Sequence, residues 1–405
     1  MHIALVTKRF DLIGGSERYA GAVARGLADR GHEVRVLCAH GDQGTSVERA
    51  ELTALDVDRP SRDDCRGLRA AVRDRGTDAV YLLSSLAPRA FDALADAAPL
   101  VRHVQDHTLF CPGMNKVFED GTNCHQALGM PCLERYYLGG GCSGFKSGGN
   151  FALRRPIATL AARLADVERH GKAAGLVCAS RYMRDQLMLA GCAADRVHTI
   201  PYFTRSSSDE LQPEPLDAGL RDFLSSDDPL ILCPARLTLP DKGVDYLITA
   251  LSALHAPFRC VIPGEGPARE WLEQKARDEG LGGRVRFAGW QAPGAVETLY
   301  RRAAVVAFPS VWDEPFGLVG LEAAAHEKPV VAFAVGGVVD WLKHNETGIA
   351  VPNRDAARFA RALDELLGDP QHAAELGRRA AKHVAATFSR EQHLDRLEAV
   401  LRGAV

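Results

Sequence analysis

Short apolar runs alternate with stretches of helical periodicity along nearly the whole chain. The runs predict strands at 2–7, 34–38, 79–84, 99–104, 175–179 and 197–201, and a second set at 229–234, 258–263, 284–288, 304–308, 329–334 and 348–351. Between them apolar residues recur at helical spacing, for example over 16–30, 181–190, 243–254, 267–280, 354–367 and 389–402. Such alternation predicts an α/β fold of parallel sheets with helices on both faces. The pattern breaks twice. Residues 105–150 are rich in Cys and Gly and weakly periodic, and residues 204–228 are polar and Pro-bearing, like a linker. The breaks predict an N-terminal domain over 1–203 with an insertion at 105–150, a second domain over 204–388, and a closing helical segment, 389–405. In doubly wound sheets, ligands bind beyond the carboxyl ends of the strands. Two such domains facing each other make a cleft.

Composition narrows the function classes. With 405 residues the chain is too long for one core, and 46% hydrophobic with 25% charged residues is an ordinary globular balance. A net charge of −3 leaves no footprint for nucleic acid. No apolar run reaches the roughly 18–20 residues that span a bilayer. The first residues, MHIALVT, read as a buried strand and not as a secretory leader. The expected location is the cytoplasm, with the ten cysteines mostly reduced.

The stretch that carries most chemistry is 308–325, FPSVWDEPFGLVGLEAAA. A strand ends near Phe308, a loop presents Glu314, Pro315, Phe316 and Gly317, and a helix is predicted from Leu318 through Ala325. The amides of a first helical turn form an anion site. Glu314 precedes those amides and Glu322 follows about one turn later, so the two carboxylates are placed to grip different ends of a ligand whose phosphates lie between them. The apolar flanks predict that Glu322 is partly buried and needs a partner. Upstream, Arg236 and Lys242 leave the carboxyl end of strand 229–234, where two cations suit a diphosphate. Gly264 sits in a Pro-Gly-Glu-Gly-Pro turn, which lets a ring approach the backbone. In the first half, Gly14 and Gly15 precede Ser16, Glu17 and an amphipathic helix, where backbone amides can meet a phosphate or sugar.

The order of these pieces resembles family 4 of the retaining glycosyltransferases, which have the GT-B fold of two facing Rossmann-like domains. The segments ARL…DKG, PGEGP, FPSVWDEPFGLVGLEAAA, KPVVAFAVGGVVDWL and ETGIAVP carry the likeness, which extends over almost the whole chain. It implies that Glu314 contacts the donor sugar and Glu322 the ribose. The amides of Phe316, Gly317, Leu318 and Val319 would hold sugar and phosphates, Arg236 and Lys242 the diphosphate, and Gly14 and Gly15 would close on it from the other domain. Helix 389–402 would cross back onto the N-terminal domain. On the acceptor side the likeness points to Glu17 and to the residues after strand 99–104. The family often has a His-Asp pair there. This chain has Gln105-Asp106 followed by His107: Asp106 matches, Gln105 departs because it cannot titrate, and His107 is either a substitute or a structural histidine. A second departure is Ala325-His326-Glu327-Lys328, where the family usually has a glycine before the Pro.

The implied activity is transfer of a hexose or N-acetylhexosamine from a nucleotide diphosphate sugar, UDP-sugar favoured, with retention of configuration. The acceptor stays open among lipid carrier, glycan and natural product. No residue is assigned as general base. The alternatives are a GDP-mannose-dependent mannosyltransferase, a sugar-nucleotide epimerase, or a non-catalytic protein that binds sugar nucleotide. No catalytic metal is expected, since the GT-B fold needs none. In the insertion, Cys111, Cys124, Cys132 and Cys142 follow C-x12-C-x7-C-x9-C. They are compatible with a structural Zn²⁺, with one or two disulfides, or with free thiols. Family members with a similar CPG…C…C pattern exist, which favours an ordered role. The insertion is expected to help shape the acceptor pocket. The basic segment 145–172, with Phe145, Lys146, Phe151, Arg154, Arg155, Arg163, Arg169 and Lys172, is either a solvated helix face or a weak peripheral membrane contact.

Overall fold

The computed structural model describes residues 1–11, 15–41, 47–118, 120–138, 142, 155–203 and 212–405, with the backbone alone for Arg155. Within it the chain forms two compact units, Met1–Tyr202 with Arg390–Val405, and Phe203–Ser389.

The first unit is built on seven strands: β1 (His2–Phe10), β2 (Glu33–Gly41), β3 (Glu48–Glu51), β4 (Ala79–Leu82), β5 (Leu100–Val104), β6 (Gly175–Cys178) and β7 (Val197–Thr199). They pair in parallel in the order β3-β2-β1-β4-β5-β6-β7. Its helices are α1 (Gly15–Asp29), α2 (Arg62–Arg73), α3 (Pro88–Ala95), α4 (Met130–Tyr137), α5 (Arg155–Gly171) and α6 (Arg181–Leu189). Helices cover both sheet faces, so β4 and β5 are buried at every position and show no alternation. Local chemistry sets the helix ends. Ser61 and Asp64 form a capping box at the start of α2, whose Cys65, Leu68 and Val72 recur at helical spacing and face the core.

The second unit has six strands: β8 (Leu230–Leu232), β9 (Arg259–Pro263), β10 (Val285–Gly289), β11 (Ala303–Phe308), β12 (Val330–Phe333) and β13 (Gly348–Val351). They are parallel, in the order β10-β9-β8-β11-β12-β13. The helices are α7 (Ala218–Phe223), α8 (Val244–Ser252), α9 (Arg269–Asp278), α10 (Pro293–Arg302), α11 (Leu318–Ala325), α12 (Val338–Trp341), α13 (Ala356–Gly368) and α14 (Pro370–Thr387). Strand order reverses between β8 and β11, and a doubly wound sheet opens its ligand crevice at such a reversal.

The last helix, α15 (Arg390–Ala404), packs in the first unit. Gly26 of α1 permits this approach, because a Cβ there would stand 2.6 Å from Leu394. A buried polar chain fixes the register. His393 Nδ1 lies 2.7 Å from the Pro201 carbonyl, which makes it the donor, so Nε2 accepts from Tyr19 at 3.0 Å. Tyr19 then accepts from Tyr81 at 2.8 Å, and Tyr81 from His103 Nδ1 at 2.7 Å. Every contact thus has one donor only in a single direction, from His103 through the two tyrosines to His393. Among the described residues, no helix is long and apolar enough to cross a membrane.

Candidate active site

The loops that leave β8 and β11 meet beside the reversal in the second unit. Two glycines allow the approach. At Gly243, φ is +61° and a Cβ would stand 2.0 Å from the Pro309 carbonyl. At Gly336, φ is +48° and a Cβ would stand 2.4 Å from the Glu314 carbonyl, while Gly337 donates its amide to that same carbonyl at 2.7 Å. The segment carrying Glu314 is therefore held between the Asp241–Gly243 turn and the start of α12.

Within this frame Lys242 Nζ donates to Glu314 Oε1 at 2.6 Å, and Ser310 Oγ donates to the same oxygen at 2.7 Å. Glu314 Oε2 has no hydrogen bond among the described residues. Lys242 Nζ also lies 4.8 Å over the Trp312 ring. Gly317 caps α11 with φ +94°, so no side chain occupies the amides of Leu318 and Val319. Phe316 is buried, and its carbonyl accepts from Trp341 Nε1 at 2.7 Å. The Trp341 ring lies where a Cβ on Gly320 would be, 2.2 Å away, and this locks the first turn of α11. Glu322 is half-buried and its Oε2 accepts from the Tyr300 hydroxyl at 3.0 Å. The Tyr300 ring stacks on His326, which bonds the Glu322 carbonyl at 2.7 Å and Glu297 at 2.8 Å.

Arg236 is exposed; its carbonyl accepts from the Thr238 amide at 3.0 Å, and its guanidinium makes no hydrogen bond or ion pair among the described residues. At Gly264 a Cβ would stand 1.9 Å from the Ala235 carbonyl, so the protein's own loop after β8 already requires glycine there. Tyr300, Ser310 and Trp341 were missed in the sequence. Only Ser310, four residues before Glu314 in the same loop, offers a local signal.

The first unit places its candidates less closely. Gly14 lies outside the described residues, Gly15 is exposed at the start of α1, and Ser16 Oγ donates to Glu17 at 2.9 Å. Asp106 caps a short 3-10 helix, accepting from the Thr108 amide at 2.9 Å and from its hydroxyl. The Gln105 amide nitrogen is sealed from solvent and has no hydrogen-bond partner among the described residues. His107 corrects an expectation. It is fully buried, bonds Tyr182 at 3.0 Å and packs edge-on against Phe110, so it belongs to the packing and does not substitute for a ligand-facing histidine. Burial, with the charge of Lys116, pushes its pKa down to about 3. Burial also lowers Arg102, behind Asp106, to about 10.

None of the four insertion cysteines is in a disulfide, and all four line one cavity. Burial pushes the Cys111 and Cys132 thiols up. Of the basic segment 145–172, residues 145–154 lie outside the described residues. In α5, Arg169 pairs with Asp92 and Asp166, and Lys172 with Glu168, so these basic groups are already balanced.

Residues 221–383 match the family model described as glycosyl transferases group 1, and residues 14–202 match that of the glycosyl transferase 4-like domain. The alpha-D-kanosaminyltransferase of Streptomyces kanamyceticus is 33% identical over 242 residues, 58% of this chain and 62% of that protein. The chain thus spans less than two thirds of that relative. The GDP-mannose-dependent alpha-(1-6)-phosphatidylinositol monomannoside mannosyltransferase of Mycobacterium tuberculosis is 31% identical over 290 residues, 62% of this chain and 75% of that protein. Among solved structures, Anabaena HepE in complex with UDP shares the fold at a TM-score of 0.71 and 20% identity, over 99% of this chain and 100% of that one; it has also been solved with UDP-glucose. Two doubly wound parallel domains, both family matches and these relatives agree: the chain belongs to the glycosyl transferases group 1 family, on the GT-B fold of two Rossmann-like domains.

Proposed function

We propose that the protein is a retaining, metal-independent glycosyltransferase that moves a hexose or N-acetylhexosamine from a UDP-sugar to an acceptor hydroxyl. One observation carries the reading. Glu314 is fixed through one oxygen by Lys242 and Ser310, keeps the other for a ligand hydroxyl, and stands just before the uncapped amides of α11. Arg236, whose guanidinium has no partner among the described residues, follows the neighbouring strand.

In this reading the sugar hydroxyls meet Glu314 Oε2, the diphosphate lies against the α11 amides with Arg236 and Lys242, and the ribose meets Glu322, oriented by Tyr300. When the bond from the anomeric carbon to the phosphate oxygen breaks, negative charge grows on that oxygen. Fixed amides and cations stabilise it without reorganising. The acceptor oxygen bonds the anomeric carbon on the face the phosphate leaves, and its proton passes to the departing phosphate oxygen. Configuration is retained, and neither a protein nucleophile nor a metal ion takes part. The compartment that suits this reading is the cytoplasm.

UDP is favoured because HepE, which shares the fold, is described with UDP and UDP-glucose. A second reading, GDP-mannose, is favoured by the mycobacterial relative, whose name specifies that donor. Thermal stabilisation separates them. A nucleotide at 100 times its dissociation constant adds about 2.7 kcal/mol to folding. UDP is expected to raise Tm and GDP not, with the shift largely lost in Glu322→Ala. A shift with GDP alone selects the second reading. A shift undiminished in Glu322→Ala overturns the ribose assignment, and release of an isomerised sugar without any acceptor overturns the transferase reading.

A further inference from the structure

The insertion after β5 carries chemistry that sugar transfer does not use. Cys111, Cys124, Cys132 and Cys142 come from four separate segments. Cys111 follows the 3-10 helix that Asp106 caps, and Cys124 follows a tight turn closed by a bridge between Val117 and Asn123. Cys132 lies in the first turn of α4, and Cys142 is bridged to Phe118. The four nevertheless line one cavity of about 20 Å³, together with Lys116 and Arg135. A space of that size admits one water or one ion and excludes a sugar or nucleotide. The remaining six cysteines of the chain are all buried, at other places in the fold.

Charge says what the cavity needs. Lys116 is 4% exposed, and its ammonium is bonded only to neutral oxygens, the Gln126 carbonyl at 2.7 Å and Gln186 Oε1 at 2.6 Å. Among the described residues, no carboxylate pairs with it or with Arg135. A buried cation without a counter-charge is costly. Four neutral thiols supply none. Four thiolates around one divalent ion carry a net charge of −2, which the two cations beside them offset. The Lys116 amide also donates to Cys111 Sγ at 3.4 Å, an outer hydrogen bond of the kind that steadies a thiolate ligand. Nothing apolar substitutes for such a staple, because the local core under α4 consists of Leu133 and Leu160 with a few half-buried neighbours.

We propose that Cys111, Cys124, Cys132 and Cys142 bind one Zn²⁺ as a closed structural centre that orders the insertion. Four sulfur ligands with no open position suit zinc in a structural and not a catalytic role. Among the described residues, no group of three His, Cys, Asp or Glu side chains is placed to hold a metal ion, and zinc binding therefore requires the four thiols to close inward and release four protons to solvent.

The test uses the full chain, purified under reducing conditions and supplied with Zn²⁺. The expected result is one zinc per chain, with four of the ten thiols protected from a thiol reagent until a chelator and denaturant are added. Cys124→Ser and Cys132→Ser are expected to lose the zinc and lower Tm, while Cys65→Ala keeps it. Should the serine variants fail to fold, Co²⁺ in the wild-type chain replaces them as the readout, and intense thiolate-to-cobalt absorption is expected. A chain that stays zinc-free with ten reactive thiols overturns the proposal. So does a non-reduced mass lower by two or four hydrogens, or cobalt spectra without thiolate bands.

Discussion

Lys242 and Glu314 are 72 residues apart in the chain, and their charged groups meet at 2.6 Å. They sit on the loops after β8 and β11, adjacent strands at the reversal of the sheet, so the pair ties together the two loops that form the candidate donor site. Glu314 is the more buried partner, its side chain 8% exposed against 22% for Lys242.

Removing the lysine charge leaves a buried carboxylate with Ser310 alone. Lys242→Met is expected to cost about 1–3 kcal/mol of stability and about 10²–10³ in kcat/KM. The double variant Lys242→Met/Glu314→Gln removes the stranded charge and is expected to recover most of the stability while remaining inactive. Tm and kcat/KM of the three proteins check this, and a double variant with near wild-type activity would remove both residues from the chemistry.

Arg236 makes the opposite case. Its exposed side chain makes no hydrogen bond or ion pair among the described residues, so Arg236→Ala is expected to leave stability within about 0.5 kcal/mol. Its loss should appear in turnover, at about 10²-fold, if it stabilises the departing diphosphate. An unchanged kcat/KM would return it to the class of solvated surface arginines.

The difference between these two cations was hidden in the sequence for a physical reason. Each of the predicted strands is present, because burial on both faces leaves an apolar run that composition alone reveals. Strand β3 was missed because it is an edge strand, Glu48–Glu51, with no buried position. Which loops become neighbours depends on strand order, and β9 and β10 intervene in the chain between β8 and β11. Hence the sequence marks Lys242 and Glu314 separately but carries no sign of their direct pairing. Tyr300 and Trp341 reach Glu322 and Phe316 from other helices, a contact no local pattern encodes. At His107 the sequence left two readings, and only its burial and the Tyr182 bond decide between them.

The end of α11 offers a test of backbone strain. Glu327 adopts φ +55° and is exposed. A left-handed conformation costs a residue with a Cβ roughly 1–2 kcal/mol and costs glycine almost nothing. Glycine also broadens the unfolded ensemble and returns part of that gain. Glu327→Gly is therefore expected to stabilise the protein by about 0.5–1 kcal/mol, read as a higher Tm with unchanged kcat/KM. A lower Tm would mean that the Glu327 side chain contributes more than its backbone strain costs.

Acid should act first on the first unit. His103, His107, His170 and His393 are buried there, and burial is the first cause of each depressed pKa: well below the usual value for His103, about 3 for His107 and His170, and about 4 for His393. For His393 the Pro201 carbonyl opposes the shift and Arg396 adds to it. In the unfolded chain these rings titrate near 6.5. Each is neutral in the fold and gains a proton on unfolding, so its contribution is complete above about pH 6.5 and is lost as the pH falls toward 3–4. Each then adds up to about 1.4 kcal/mol per pH unit to the slope. Tm is expected to drop steeply between about pH 6.5 and pH 5. In His393→Gln, which keeps a neutral hydrogen-bonding group but cannot titrate, that slope should be shallower by one proton. Equal slopes in the two proteins would mean that His393 is already protonated in the fold, and that the donor order from His103 to His393 is wrong.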